Sequence, residues 1–268
     1  MDVSGLRCLV TGTASGIGEE VTKLLLAGGA TVLSLDRNKP GAEIASALEQ
    51  HIEVDLADPA SIDGALAQIE GNIDVLANVA GIPGTAPAEL VFKVNFLGLR
   101  HLTEALAFER MNQGGSIVNV ASTAGFQWAL RLDALKDLMT TETFDEGLEW
   151  FRANPQQGNA YNFSKEATTV YTLAMGGAVR EMAELRINAV MPGPVETPIL
   201  ADFEESMGKD TLDGVKAFLG RHATPADIAP AIVFLASRDS GWINGTTLIA
   251  DGGISGAVLA GLVPPPEI

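Results

Sequence analysis

Tyr161-Asn162-Phe163-Ser164-Lys165 sets a phenol and an ammonium group four residues apart. On a helix, side chains at that spacing share a face and reach the same space. The chemistry this suggests is proton transfer by the tyrosine. An unperturbed phenol has a pKa near 10, so its anion must be favoured by roughly 3–4 kcal/mol before it can act as a base near neutral pH. An ammonium about 4 Å away supplies on the order of 4 kcal/mol at an effective dielectric near 20. Tyrosine and lysine also meet at this spacing on helices that do no chemistry, so the pair needs further support.

Thr11-Gly12-Thr13-Ala14-Ser15-Gly16-Ile17-Gly18 follows a short apolar run and opens a stretch with apolar residues at helical spacing. Glycines at a strand-to-helix turn allow a tight bend and close approach to a pyrophosphate, whose charge is favoured by the helix N-terminus. Asp36 stands 18 residues beyond Gly18, at the end of the next apolar run. A carboxylate there accepts hydrogen bonds from the adenosine ribose hydroxyls and repels a 2′-phosphate. NAD is therefore expected over NADP, although the adjacent Arg37 is a base that could pair with that phosphate.

These residues need a frame, and periodicity provides one. Strands are expected at Leu6–Thr11, Thr31–Leu35, His51–Val54, Ile73–Ala77, Ser116–Ala121, Arg186–Val190 and Thr246–Ile249. Helical stretches at Ile17–Ala27, Pro59–Glu70, Leu90–Met111, Ala160–Glu184 and Pro225–Ser237 alternate with them. Alternation of this kind implies right-handed crossovers. The fold class expected is α/β: one Rossmann-type, doubly wound parallel sheet of about seven strands, helices on both faces, spanning residues 1–268 as a single domain.

Two segments break the alternation. Phe126–Asn159 is an insertion, with a helix expected near Asp133–Met139 and another from Thr143, where Thr143-x-x-Glu146 has capping-box spacing. Glu196–His222 would form a substrate lid, offering Ile199, Leu200, Phe203, Met207 and Phe218. The insertion could also roof the cleft through Trp128, Leu130 and Phe151, or be a purely structural flap. The tail at Pro264–Pro266 either ends the fold or crosses a subunit contact.

Composition narrows the function classes. With 47% hydrophobic and 19% charged residues, the chain can bury a large core. Its formal net charge of −17 disfavours a nucleic-acid or anionic-membrane partner, either of which needs clustered Lys and Arg. No run of about 18 apolar residues exists to span a bilayer, and Met1–Arg7 lacks the layout of a secretory signal, so a cytoplasmic enzyme is expected. The single cysteine, Cys8, reads as a buried thiol. His51, His101 and His222 are scattered without metal-ligand spacing, and no metal site is expected.

Taken in order, the motifs resemble those of the short-chain dehydrogenase/reductase family over nearly the whole chain. The resemblance is carried by Thr11–Gly18, Asp55-Leu56 after the third strand and Asn78-Val79-Ala80-Gly81 after the fourth. It continues through Asn95, Ser122 closing the fifth strand, Tyr161 with Lys165, and Pro192-Gly193 after the sixth. It implies that Tyr161 exchanges the hydroxyl proton while hydride moves to or from the nicotinamide. Ser122 would hold the substrate oxygen, Lys165 the nicotinamide ribose, and Asn95 a water of the proton relay. The cofactor would lie along Gly12, Ser15, Gly16, Ile17, Gly18 and Asp36, then Asp55, Leu56, Asn78, Ala80 and Gly81, with Pro192, Gly193, Val195 and Thr197 along the nicotinamide.

Two departures stand out. Val79 replaces a common asparagine, and Tyr161 follows Ser122 by 39 residues, an unusually long gap filled by the insertion. In the family that region often forms a subunit contact, so the homo-oligomer it implies, dimer or tetramer, is left open. Asn78–Pro87, Val94–Ala105, Gly193–Leu200 and Trp242–Gly245 resemble the coniferyl-alcohol-type bacterial branch. The long insertion resembles the 3α-hydroxysteroid dehydrogenase/carbonyl reductase branch. Both imply a small, apolar, cyclic or aromatic alcohol or carbonyl substrate. The alternative of a different class is a silent member that binds the dinucleotide as a sensor.

Overall fold

The computed structural model describes residues 1–263, apart from the side chains of residues 203, 204, 206, 207 and 211. Pro264–Pro266 lies outside the described residues. The chain runs β1 (Arg7–Thr11), α1 (Gly16–Ala27), β2 (Thr31–Asp36), α2 (Ala42–Ala47), β3 (Gln50–Glu53), α3 (Pro59–Leu66) and β4 (Ile73–Asn78). It continues through α4 (Ala88–Phe92), a π-helical turn (Lys93–Leu97), α5 (Gly98–Ala107) and β5 (Met111–Val120). After two 3₁₀ turns come α6 (Leu132–Met139), α7 (Phe144–Ala153), α8 (Ala160–Ala183) and β6 (Arg186–Pro192). Then follow α9 (Leu200–Met207), α10 (Lys209–Leu219), α11 (Pro225–Ala236), β7 (Thr246–Ala250) and α12 (Ile254–Leu259).

Seven parallel strands form one sheet in the order β3-β2-β1-β4-β5-β6-β7. Successive side chains of a strand point to opposite faces. Leu9, Leu33, Leu76 and Ile117 therefore join one apolar layer, and Cys8, Val10, Val32, Val75 and Val118 the other. Both layers are covered by helices, so the doubly wound α/β class expected from alternation is the class observed. Its strand order reverses between β1 and β4, and in such sheets a cleft opens there at the carboxyl ends of the strands.

Boundaries differ where tertiary pairing outweighs local pattern. The helix expected over Leu90–Met111 runs from Ala88 to Ala107 with a π-helical turn inside it, and Met111 belongs to β5 because it pairs with Ile73. Gly114, at φ +81°, and a register shift between Ile73 and Val75 carry the strand past its polar start. At Thr143 the hydroxyl accepts the Glu146 N–H, but the Glu146 carboxylate reaches the N–H of Glu142 rather than that of Thr143. Short helices α2 and α12, and the division of the lid segment into α9 and α10, are not among the elements expected from the sequence.

Candidate active site

The glycine segment joins β1 to α1 at the switch point. Gly12 sits at φ +76°, and a Cβ on it would lie 2.8 Å from the Ala80 Cα, so only glycine lets the β1 and β4 loops approach this closely. Thr11 Oγ1 fixes the approach by accepting the N–H groups of Val79 and Ala80, at 2.9 and 3.0 Å. Gly12, Ser15, Gly16, Ile17 and Gly18 all line the resulting cleft. Ser15 caps α1 without a side-chain hydrogen bond, which leaves the first-turn N–H groups available to an anion.

Asp36 closes one end of the cleft. Its Oδ2 accepts the Ala14 N–H at 2.9 Å and its Oδ1 the Asn38 N–H at 2.8 Å. The carboxylate is thereby held beside the loop with lone pairs to spare. Asp55, Leu56, Ala80, Gly81, Pro192, Gly193, Val195 and Thr197 line the same cleft. These uncapped N–H groups, a fixed carboxylate and a glycine-lined floor fit a nicotinamide dinucleotide.

The expected reacting groups come from the end of β5 and from α8. Asn159 starts α8 by accepting the Tyr161 N–H at 2.7 Å, which puts Tyr161 in the first turn and Lys165 one turn on. Gly125 lets the turn after β5 press against that helix, since a Cβ there would lie 2.6 Å from the Lys165 carbonyl carbon. This contact brings Ser122 to the tyrosine, and the two side chains are hydrogen-bonded. Lys165 Nζ donates to the Val120 carbonyl at 2.8 Å and lies 5.6 Å from the Tyr161 ring centroid.

Burial dominates the electrostatics. It pushes the Tyr161 phenol up to about 12, while the Ser122 hydrogen bond works the other way. It also pushes the Lys165 ammonium down to about 8. Desolvation penalises both charged forms. The attraction between ammonium and phenolate, which the sequence spacing alone emphasises, must therefore overcome a cost that spacing does not reveal.

Asn78 and Asn95 do not line the cleft. Asn78 is 2% exposed, and its Nδ2 donates to Thr103 Oγ1 and Asn119 Oδ1, both at 2.9 Å, tying β4 to α5 and β5. Asn95 lies in the π-helical turn and clamps Ile82 from both sides: Oδ1 accepts its N–H at 2.8 Å, and Nδ2 donates to its carbonyl at 3.0 Å. Its own carbonyl accepts the Thr168 hydroxyl at 3.3 Å.

The two irregular segments fall in different places. No residue of 126–159 lines the cleft. Phe151 stacks on Phe92 with centroids 4.2 Å apart, Trp150 lies parallel to Phe163 at 6.2 Å, and Leu130 is 80% exposed. The insertion thus packs on the core here, as a structural flap would. Arg131 within it faces the buried Glu166, the residue after Lys165, across 3.6 Å. Burial raises the Glu166 carboxyl pKa, and Arg131 opposes the rise.

The lid segment, by contrast, is pinned at its base by a bridge between Val195 and Ala223, and it does reach the cleft. Ile199 lines it, whereas Phe218 is 51% exposed; Phe203 and Met207 fall on side chains outside those described. Leu212, 2% exposed, lines the cleft and was missed by sequence reasoning. Its signal was the spacing Leu212, Val215, Leu219 on one helical face. Ile82, Val94, Thr123 and Pro194 line the cleft as well. Among the described residues there is no metal-ligating cluster and no helix long and apolar enough to cross a membrane.

Residues 7–132 match the family model described as short chain dehydrogenase, and residues 150–255 the one described as enoyl-(acyl carrier protein) reductase. A coniferyl-alcohol dehydrogenase of Pseudomonas sp. (strain HR199 / DSM 7063) is 38% identical over 256 residues, covering 95% of this chain and 98% of that protein. The crystal structure of a 3-alpha-hydroxysteroid dehydrogenase from Pseudomonas sp. B-0831, complexed with NADH, superposes with a TM-score of 0.77 at 29% identity, covering 96% of this chain and 99% of that one. A 3-ketoacyl-(acyl-carrier-protein) reductase from Brucella melitensis, also complexed with NADH, gives 0.71 at 27% identity, covering 94% and 99%.

Proposed function

The chain belongs to the short-chain dehydrogenase/reductase family of oxidoreductases, and from that membership we propose that it interconverts an alcohol and a carbonyl on an apolar cyclic or aromatic substrate, using NAD. The observation that carries the reading is the meeting of Ser122, Tyr161 and Lys165 in the cleft that also holds the glycine loop. The coniferyl-alcohol dehydrogenase similarity supports an aromatic allylic alcohol, and the apolar lining residues Ile82, Val94, Ile199 and Leu212 suit one.

A bound nicotinamide dinucleotide supplies hydride transfer and, when oxidised, a positive charge. Tyr161 takes the substrate hydroxyl proton in oxidation and returns it in reduction. Ser122, bonded to the phenol, orients the substrate oxygen toward it. Lys165 has two N–H donors left after Val120, and these would hold ribose hydroxyls of the dinucleotide while its charge favours phenolate. Since burial leaves the phenol near 12 even with the Ser122 hydrogen bond opposing it, proton abstraction near neutral pH needs every cation the assembled site provides. Asn95 holds the Ile82 wall, and we assign to its π-helical turn the water of the proton relay. Asp36 selects NAD by opposing a 2′-phosphate.

NADH absorbance with a panel of aromatic allylic alcohols, hydroxysteroids and cyclic diols tests the substrate class; activity confined to hydroxysteroids would move the assignment to the other branch. Tyr161→Phe should cut turnover roughly a thousandfold while NADH still binds, and unchanged turnover would remove the tyrosine from the mechanism. Asp36→Ala should lower the NAD over NADP preference by roughly tenfold, loss of one charge-assisted contact; an unaltered ratio would take cofactor choice away from Asp36.

A further inference from the structure

Of the residues Gly12–Gly18, Thr13 alone stays out of the cleft lining. It is fully buried, and its Oγ1 lies 2.5 Å from Ser34 Oγ. Ser34 is fully buried on β2, and its Oγ lies 2.9 Å from Nδ1 of His51, its register partner on β3. One polar chain therefore runs from beneath the glycine loop, through two strands, to a half-buried imidazole on the edge strand.

The chain's direction follows from its ends. Among the described residues, Thr13 Oγ1 bonds only Ser34, and Ser34 Oγ bonds only Thr13 and His51. When Nδ1 accepts, Ser34 gives its proton to the ring and takes that of Thr13, so both hydroxyl protons are used. When Nδ1 carries a proton, the ring donates to Ser34, Ser34 donates to Thr13, and the Thr13 proton has no acceptor in a dry interior. The satisfied arrangement is the one in which His51 accepts. Ala14, the next loop residue, is tied to β2 as well, through Asp36. Two consecutive loop residues are thus held from below, one by a carboxylate and one by the His51 chain.

We propose that His51 is a positioning residue for the cofactor: its Nδ1, acting through Ser34 and Thr13, holds the glycine loop in the shape that receives a pyrophosphate. The inference rests on the reading of the cleft as a dinucleotide site, and it concerns affinity for the dinucleotide, not the proton chemistry at Tyr161.

NADH fluorescence titration of the full chain tests it. His51→Leu removes the acceptor and should weaken NADH binding roughly fivefold, the scale of one hydrogen bond. Thr13→Val, which breaks the same chain at its other end, should do the same, and the double variant should be no weaker than either. His51→Asn restores an acceptor near the Nδ1 position and should bind within about twofold of wild type. Should His51→Leu fail to fold, Thr13→Val and His51→Asn carry the comparison. Wild-type affinity in His51→Leu or in Thr13→Val overturns the inference, as does His51→Asn binding as weakly as His51→Leu. A wild-type chain that binds neither NADH nor NADPH overturns the cleft assignment itself, and this proposal with it.

Discussion

Helix α8 is buried on two sides that are built in opposite ways. Toward the cleft it presents Tyr161 and Lys165, a phenol and an amine stripped of water and held by a serine and one carbonyl. Toward the insertion it presents Phe163, packed against Phe92, Trp150 and Phe151, and Glu166, with Arg131 placed opposite the carboxylate. The first side pays desolvation for groups whose charge the proposed reaction would use; the second gains apolar burial and gives its one charge a partner. Stability and chemistry are thus divided across the width of one helix, and the insertion belongs to the stabilising side.

The largest expected effect breaks that division at Lys165. Its ordinary value of 10.5 falls to about 8 in the fold, so between those pH values the unfolded chain binds more protons and the group's contribution to stability rises with pH. Below pH 8 the buried ammonium carries its full cost. Lys165→Met should therefore stabilise the cofactor-free protein by on the order of 3 kcal/mol at pH 7, an advantage that shrinks above pH 8 and vanishes near 10.5. Denaturant unfolding across that range measures it. A pH-independent difference would show that Lys165 carries no desolvation cost and that the two sides of α8 are alike.

The next effect tests the other side. Phe151 is half-buried and stacked on Phe92, so Phe151→Ala should lower stability by about 2–3 kcal/mol. Because no residue of 126–159 lines the cleft, KM for the substrate should be unchanged within about twofold, the scale of a negligible binding change. Equilibrium unfolding and steady-state kinetics on one preparation separate the outcomes. A raised KM with intact stability would return the insertion to the role of a roof.

What the sequence made legible follows the same division. The sheet was readable because apolar runs alternate with helical spacing, and its glycine turn because the positions around Gly12 tolerate little else. Asp36, Tyr161 and Lys165 were found by spacing, and the fold brings them to one cleft. Spacing could not show that burial would oppose both charges of the Tyr161 and Lys165 pair, since desolvation depends on what β5 and the turn after it pack around them. Nor could it separate Asn78, whose amide serves a buried network, from neighbours one and two residues on that face the cleft. The insertion offered Trp128, Leu130 and Phe151 as equal candidates; the fold packs Trp128 and Phe151 against the core and leaves Leu130 in solvent.

The smallest effect carries the comparison to the second irregular segment. The insertion is fastened by stacked rings, whereas the contacts of the lid's described residues include its basal bridge, a Thr85 hydroxyl donating to Asp202 Oδ1 at 3.0 Å, and the burial of Leu212. Segments with few buried apolar contacts open at low cost, and loops that admit ligands are drawn from them. Leu212→Ala should then act on binding more than on global unfolding, because the lid can open without the sheet unfolding. A KM increase of roughly tenfold is expected, the cost of losing apolar contact in a substrate pocket. Little change should appear in the denaturation midpoint, with Leu130→Ala as a surface control altering neither. If Leu212→Ala instead lowered stability as Phe151→Ala does and left KM alone, Leu212 would be core, and both irregular segments would serve the same structural end.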